Sequence, residues 1–148
     1  DLGIEFIGQT VTNSAEVQQA AQSIVDKIDA FYVSTDNTVV SAFTSLTSVA
    51  MKNGVPVISA DPSSADSNDV LAAYGFDYYA MGRVTGRLAD RILKGEDPAT
   101  IPTQFMTNDE DLILFVNFDI ADQLGITIPA NIEDKADVIV KNGEVIKK

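Results

Sequence analysis

The sequence predicts an α/β fold with a mainly parallel sheet and helices on both faces. Three observations lead there. Short apolar, β-prone runs alternate with apolar stripes at helical spacing. Polar turn residues stand between them. The chain has 148 residues, 45% of them apolar, enough for a core in one domain or one lobe of a larger protein. The strand, helix, strand, helix order implies right-handed crossovers and mainly parallel neighbours.

Each element has its own signal. Ile4-Glu5-Phe6-Ile7 is β-prone, and Gly8 to Asn13 turns the chain. Asn13 and Glu16 have capping-box spacing. Val17, Ala20, Ala21, Ile24, Val25 and Ile28 then form one stripe of an amphipathic helix. Ala30 to Val33 reads as a buried parallel strand. Ser34-Thr35-Asp36-Asn37 follows and suits the N-cap of a second helix running to about Lys52, which Asn53-Gly54 stops. Val55 to Ser59 is a third strand, with Pro56 limiting it to an early or edge-like position. A fourth spans about Val70–Tyr74 and ends at Gly75-Phe76-Asp77. The next helix runs from near Tyr78 to Lys94-Gly95, with Met81, Leu88 and Ile92 facing inward. Ile101–Met106 and Leu112–Val116 read as strands, and Phe118–Leu124 as a short helix closed by Gly125. Ala136–Val140 and Glu144–Lys147 flank Lys141-Asn142-Gly143, a hairpin signal.

Composition removes several chemistries. With no cysteine and no histidine, thiolate nucleophiles, Ser–His–Asp catalysis and Cys- or His-ligated metals are excluded. A net charge of −12 disfavours nucleic-acid binding. No apolar run nears the roughly 18–20 residues of a membrane span. No phosphate loop or GxGxxG is present. Asp36 at a strand end is the one hint of an enzyme, since a phosphoacceptor aspartate sits there, but the lysine such chemistry needs is missing. Asp109-Glu110-Asp111 reads as a solvated turn, because consecutive strand residues alternate faces and do not converge on a metal. Gly82 and Gly86 lie in a helical pattern and suggest close packing. No cofactor is expected.

Ligands of open α/β sheets bind beyond the carboxyl ends of the strands. Ser34–Asn37, Ser59–Asp61 and Phe76–Tyr79 all follow strands and are all polar. Helix starts near Thr35 and Asp77 offer free N–H groups to a ligand carboxylate. Asp36 and Asp77 offer charge to an ammonium, and Tyr74, Phe76, Tyr78 and Tyr79 an aromatic wall. Each also has a plain structural reading: Thr35 or Asp36 as a helix cap, Asp61-Pro62 as a turn, the aromatics as core and surface.

Five stretches together carry a resemblance. They are Val11–Val17, Asp29–Val39, Gly75–Gly82, Leu93–Pro102, and Val116-Asn117 with Ala121 and Leu124–Pro129. In that order they resemble the C-terminal portion of the ABC-transporter substrate-binding family, whose members include tryptophan- and other aromatic-amino-acid-binding proteins. The resemblance implies one Rossmann-like lobe of a type I periplasmic-binding-protein fold. It would comprise residues 1–106 as a ligand-binding lobe incomplete at its start, and 107–148 as a crossover and C-terminal segment packing on an absent first lobe.

It implies a solute held between two lobes that close by hinge motion, and delivery to an ABC permease outside the cytoplasmic membrane. Asp1 shows no signal peptide. Amino acids, aromatic ones first, are the expected ligand class. Carried over by residue, Thr35 and Asn37 would bind the α-carboxylate, Asp36 or Asp77 the α-ammonium, and Tyr78 the side chain. Asp61 sits where the third strand enters the cleft. An uncovered surface also makes a homodimer a candidate assembly. The competing readings are an effector-sensing domain of a regulator and, less favoured, a flavodoxin-like enzyme.

Overall fold

The computed structural model describes residues 2–65 and 69–148, so Asp1 lies outside it. Its elements run α1 (Val17–Ile24), β1 (Phe31–Val33), α2 (Asn37–Val40), α3 (Phe43–Lys52), β2 (Val57–Ser59), β3 (Ala72–Phe76), α4 (Tyr78–Leu93), β4 (Leu112–Asn117), α5 (Phe118–Leu124), α6 (Ala130–Lys135), β5 (Val138–Lys141) and β6 (Glu144–Lys147). The six strands form one sheet in sequence order. Strands β1, β2 and β3 are mutually parallel; β4 runs antiparallel to β3; β5 is parallel to β4; β6 returns antiparallel.

Strand alternation sorts the side chains onto two faces. On the first, Phe31, Val33, Val57, Ala73 and Phe115 are buried beneath Val17, Ala21 and Val25 and beneath Phe43, Leu46, Val49 and Ala50 of α3. This is the stripe that the helical spacing marks. On the second, Val116 and Ile139 are buried with Ala136, packed by Phe118, Ile128 and Ile132. A third cluster joins Leu71 to Ile120 and Ala121 of α5. Helices therefore lie on both faces, but the second face is open over β1 and β2, where Tyr32 is 68% exposed.

Several expectations are corrected. Residues 4–7 form no strand, and Ile4 and Phe6 are exposed; no strand among the described residues pairs with them, and alternation without a partner does not hold an extended ladder. The helix expected to reach Lys52 breaks at Ser41-Ala42. There the Ser41 hydroxyl donates to the Thr38 carbonyl and Ala42 takes a non-helical ψ of 23°. Strand β3 spans Ala72–Phe76, two residues later than expected, although Leu71 already gives its N–H to Val57 C=O and accepts from Asn117 N–H. Ile101–Met106 is not a strand; a Pro98–Thr100 turn precedes it, Pro102 has no N–H to give, and Phe105 is exposed.

The third long helix, α4, departs most from its sequence pattern. None of its residues is buried; Met81 and Leu88 are half-buried and Ile92 is exposed. None of its side chains joins the three clusters. A Cβ added at Gly82 or Gly86 would meet nothing within 4 Å, so those glycines do not serve close packing here. Leu112 onward, for which the resemblance implies a first-lobe surface, supplies β4, β5 and β6 to this sheet. Strand β4 lies along the outer edge of β3 over five residue pairs, from Ala72↔Val116 to Phe76↔Leu112.

The C-terminal hairpin forms as read. Asn142 (φ 55°) and Gly143 (φ 74°) take the left-handed pair that a two-residue turn requires. The Asp119 carboxylate accepts both their N–H groups at 2.7 Å, fixing the turn to the start of α5.

Candidate functional site

Because β1, β2 and β3 are parallel, their carboxyl ends share one rim of the sheet. Each is followed by an aspartate that caps the next turn of helix. Asp36 Oδ1 accepts from Thr38 and Val39 N–H at 2.8 and 3.0 Å. Asp61 Oδ1 accepts from Ser63 N–H and its hydroxyl at 3.1 and 2.6 Å. Asp77 Oδ1 accepts from Tyr79 N–H at 2.8 Å. Asp36 and not Thr35 is thus the cap of α2. In all three the second carboxylate oxygen accepts no hydrogen bond among the described residues, though Asp61 is buried while Asp36 is exposed and Asp77 half-buried.

The three turns are bound to one another. The Thr35 hydroxyl donates to the Ala60 carbonyl at 3.3 Å, and Ala60 N–H donates to Val33 C=O at 2.8 Å. Gly75 presses on the same peptide: a Cβ there would stand 2.9 Å from the Ala60 carbonyl carbon and from Pro62 Cδ. Ser59 Oγ, buried, accepts from Asp61 N–H at 3.0 Å and fixes the second turn. Asp77 N–H donates to Asp111 C=O at 2.9 Å, bringing the acidic 109–111 turn against the third.

Thr35, Asp36 and Asn37 are exposed, Asp61 is buried, Asp77 is half-buried and Tyr78 exposed. Asp77 and Tyr78 line a recess of about 190 Å³ with Pro62 and Ser63 from the second turn. Phe76 and Tyr79 add aromatic surface, and Phe115, Val138 and Lys147 close the far side. The first turn joins this group through Thr35 and Ala60 rather than by lining the recess. Ser63 and Lys147 went unnoticed in the sequence. Ser63 follows directly on Asp61-Pro62. The signal for Lys147 is the hairpin register, which pairs it with Val138 and so with Phe115.

Among the described residues, no cluster of three or more acids could hold a metal ion. Asp109–Asp111 is a single short turn whose Asp111 carboxylate accepts from Asn108 N–H at 3.1 Å, as a solvated turn should. The carboxylate oxygens on the rim suit the cationic end of a ligand, whereas the Thr35 and Ser63 hydroxyl protons already go to Ala60 C=O and Asp61 Oδ1, leaving the Asn37 amide and the tyrosine hydroxyls as donors for an anionic end.

Residues 1–140 match the family model described as ABC transporter substrate binding protein. The chain belongs to that family. Family members bind a substrate rather than transform it. A curated relative, the tyrosine-binding protein of Clostridioides difficile (strain R20291), is 37% identical over 109 residues, which is 74% of this chain and 31% of the relative. A conserved domain protein from Vibrio cholerae O1 biovar eltor aligns with TM-score 0.83 at 35% identity, covering 94% of this chain and 45% of that one. The ABC domain in complex with L-Trp from Streptococcus pneumonia aligns with TM-score 0.77 at 27% identity, covering 88% and 44%. The chain therefore spans less than half the length of these relatives, and its sheet has the periplasmic-binding-protein fold of its structural neighbours. Among the described residues, no helix is long and apolar enough to cross a membrane.

Proposed function

We propose that this chain holds half of the ligand cleft of an extracytoplasmic solute-binding protein serving an ABC importer, and that the ligand is an amino acid, aromatic ones favoured. One observation carries the reading. Three parallel strand ends, each with a capping aspartate that keeps an oxygen free, are bonded into one rim beside an aromatic-walled recess. Asn37, and Thr35 if its hydroxyl turns away from Ala60 C=O, take the α-carboxylate, Asp36 or Asp77 the α-ammonium, and Tyr78 with Tyr79 the side chain. Asp61 holds the second turn in place and offers its outer oxygen to the ligand. Support also comes from a relative named for tyrosine and a neighbour holding L-Trp.

An ABC permease and a first lobe like that of the longer relatives are the proposed partners. The open patch at Tyr32 and Ile58 is the surface through which a second copy would associate if no first lobe covers it. The recess is smaller than the roughly 300–1,000 Å³ of enclosed ligand sites, as half a cleft should be.

The test is an NMR titration of this chain with L-tyrosine, L-tryptophan, L-phenylalanine and L-leucine into the millimolar range. Amide shifts confined to residues 34–38, 60–64 and 76–79, larger for the aromatic three, support the reading. Flat spectra both here and in a longer form that carries the first lobe, or shifts elsewhere on the chain, overturn it.

A further inference from the structure

We infer that Lys147 is a specificity-determining residue of this site, a cation that selects solutes carrying a carboxylate over amines that lack one. The inference rests on the binding role proposed above and adds a residue to it. Lys147 lines the same recess as Asp77, Tyr78 and Ser63. It comes from β6, which lies beyond residue 140, where the match to the family model ends. The recess is thus closed on one side by a strand outside the matched part of the chain.

Register decides which way the side chain faces. Lys147 pairs with Val138, Val138 with Phe115, and Phe115 with Ala73. Residues paired across a sheet project from the same face. Phe115 and Ala73 face the core under the Asp61–Ser64 turn, so Lys147 faces the side on which that turn and the start of α4 rim the recess. The register is held at both ends. Asp119 clamps the hairpin turn, and Lys148 N–H donates to Asp137 C=O at 2.9 Å.

Charge supplies the rest. The chain carries 22 acidic and 10 basic residues. Among the described residues only Arg91, Lys94 and Lys141 form ion pairs, so Lys147 shares its unpaired state with most of the basic side chains and is set apart by its place in the recess. Among the described residues Asp77 is the one acidic side chain that lines the recess, and Lys147 the one basic one. A cation and an anion that line the same small aromatic-walled hollow and are not paired with each other match the two ends of a zwitterion. This seats the carboxylate at Lys147 and the ammonium at Asp77, in place of the Thr35 and Asn37 seat outside the recess: a ligand carboxylate at Lys147 is attracted directly, whereas a bare amine meets repulsion there.

The experiment compares L-tyrosine with tyramine, which lacks the carboxylate, on wild type and on Lys147→Gln, by NMR titration of the residue 76–79 amides. The expected result is a wild-type preference for L-tyrosine that falls at least fivefold in Lys147→Gln, with tyramine binding unchanged or improved. Lys147→Arg should keep the preference. An equal preference in wild type and Lys147→Gln overturns the inference and leaves the amino-acid site standing. Failure of wild type to bind L-tyrosine at these amides, both here and in the longer form, overturns both.

Discussion

Gly75 and Ala60 are packed so closely that a single Cβ at position 75 would intrude to 2.9 Å on the Ala60 carbonyl carbon. The contact joins the end of β3 to the turn after β2, and the Thr35 hydroxyl joins the turn after β1 to that same carbonyl oxygen. One peptide thus sets the spacing of the whole rim.

Gly75→Ala tests this directly. The added methyl meets backbone and a proline ring, neither of which can swing aside. Overpacking of this kind costs about 1–3 kcal/mol. Chemical denaturation should show that loss, and the amides of residues 60–64 should shift. Unchanged stability would mean that the rim is looser than its geometry.

Asp36 has two roles that one pair of substitutions separates. Asp36→Ala removes the cap from Thr38 and Val39 and should lower stability by about 0.5–2 kcal/mol. Asp36→Asn keeps an acceptor oxygen and should be close to neutral by thermal melting. It removes the charge, however, and hydrogen bonds to charged groups are worth roughly 1.5–3 kcal/mol. Where Asp36 takes the ligand ammonium, Asp36→Asn should weaken amino-acid binding about 10-fold or more. A variant that melts and binds like wild type would assign the ammonium to Asp77.

The core and α4 should respond oppositely to truncation. Phe43 is 2% exposed in the main cluster, and Phe43→Ala should cost about 3–5 kcal/mol. Leu93, at the end of α4, is 86% exposed, and Leu93→Ala should stay within about 0.5 kcal/mol of wild type. Urea unfolding of both variants checks the contrast. A large loss at Leu93 would show that α4 buries its apolar side in solution.

Acid should release one surface clasp. Arg91 grips Glu96 through Nε at 2.7 Å and a second guanidinium nitrogen, and its hydrogen bond holds the Glu96 carboxyl below the ordinary glutamate value. A carboxyl with a lowered folded-state pKa stabilises above its unfolded value and loses that contribution as pH falls through the folded one. Melting followed from pH 6 to pH 3 should therefore fall more steeply below about 4.3 in wild type than in Glu96→Gln. The difference will be small, because both groups are exposed. Parallel curves would show the clasp to be idle.

Most of the sheet was legible because the strands that matter are apolar runs ended by turn residues, and because the stripe of the first helix buries Val17, Ala21 and Val25, which its spacing marks. Periodicity failed where a partner was missing. Ile4–Ile7 and Ile101–Met106 have strand-like side chains and no ladder, and Ile92 has helical spacing with nothing to press on. Local competition hid the break at Ser41, whose hydroxyl takes a backbone carbonyl. At the site, sequence placed the three turns at strand ends, where parallel topology brings them together. It gave no sign that Thr35 and Gly75 meet at Ala60, since that contact depends on the relative height of three turns. Lys147 was hidden for a similar reason. Its place in the recess depends on the register of a hairpin formed more than sixty residues after Asp77.

The hydrogen bond between Asp77 N–H and Asp111 C=O closes a long excursion of the chain at its neck. Everything from Tyr78 to Glu110, α4 included, leaves and re-enters through two backbones tied side by side. The two ends of that excursion therefore stay side by side at the rim, and the length of chain between them can vary without changing where Asp77 stands.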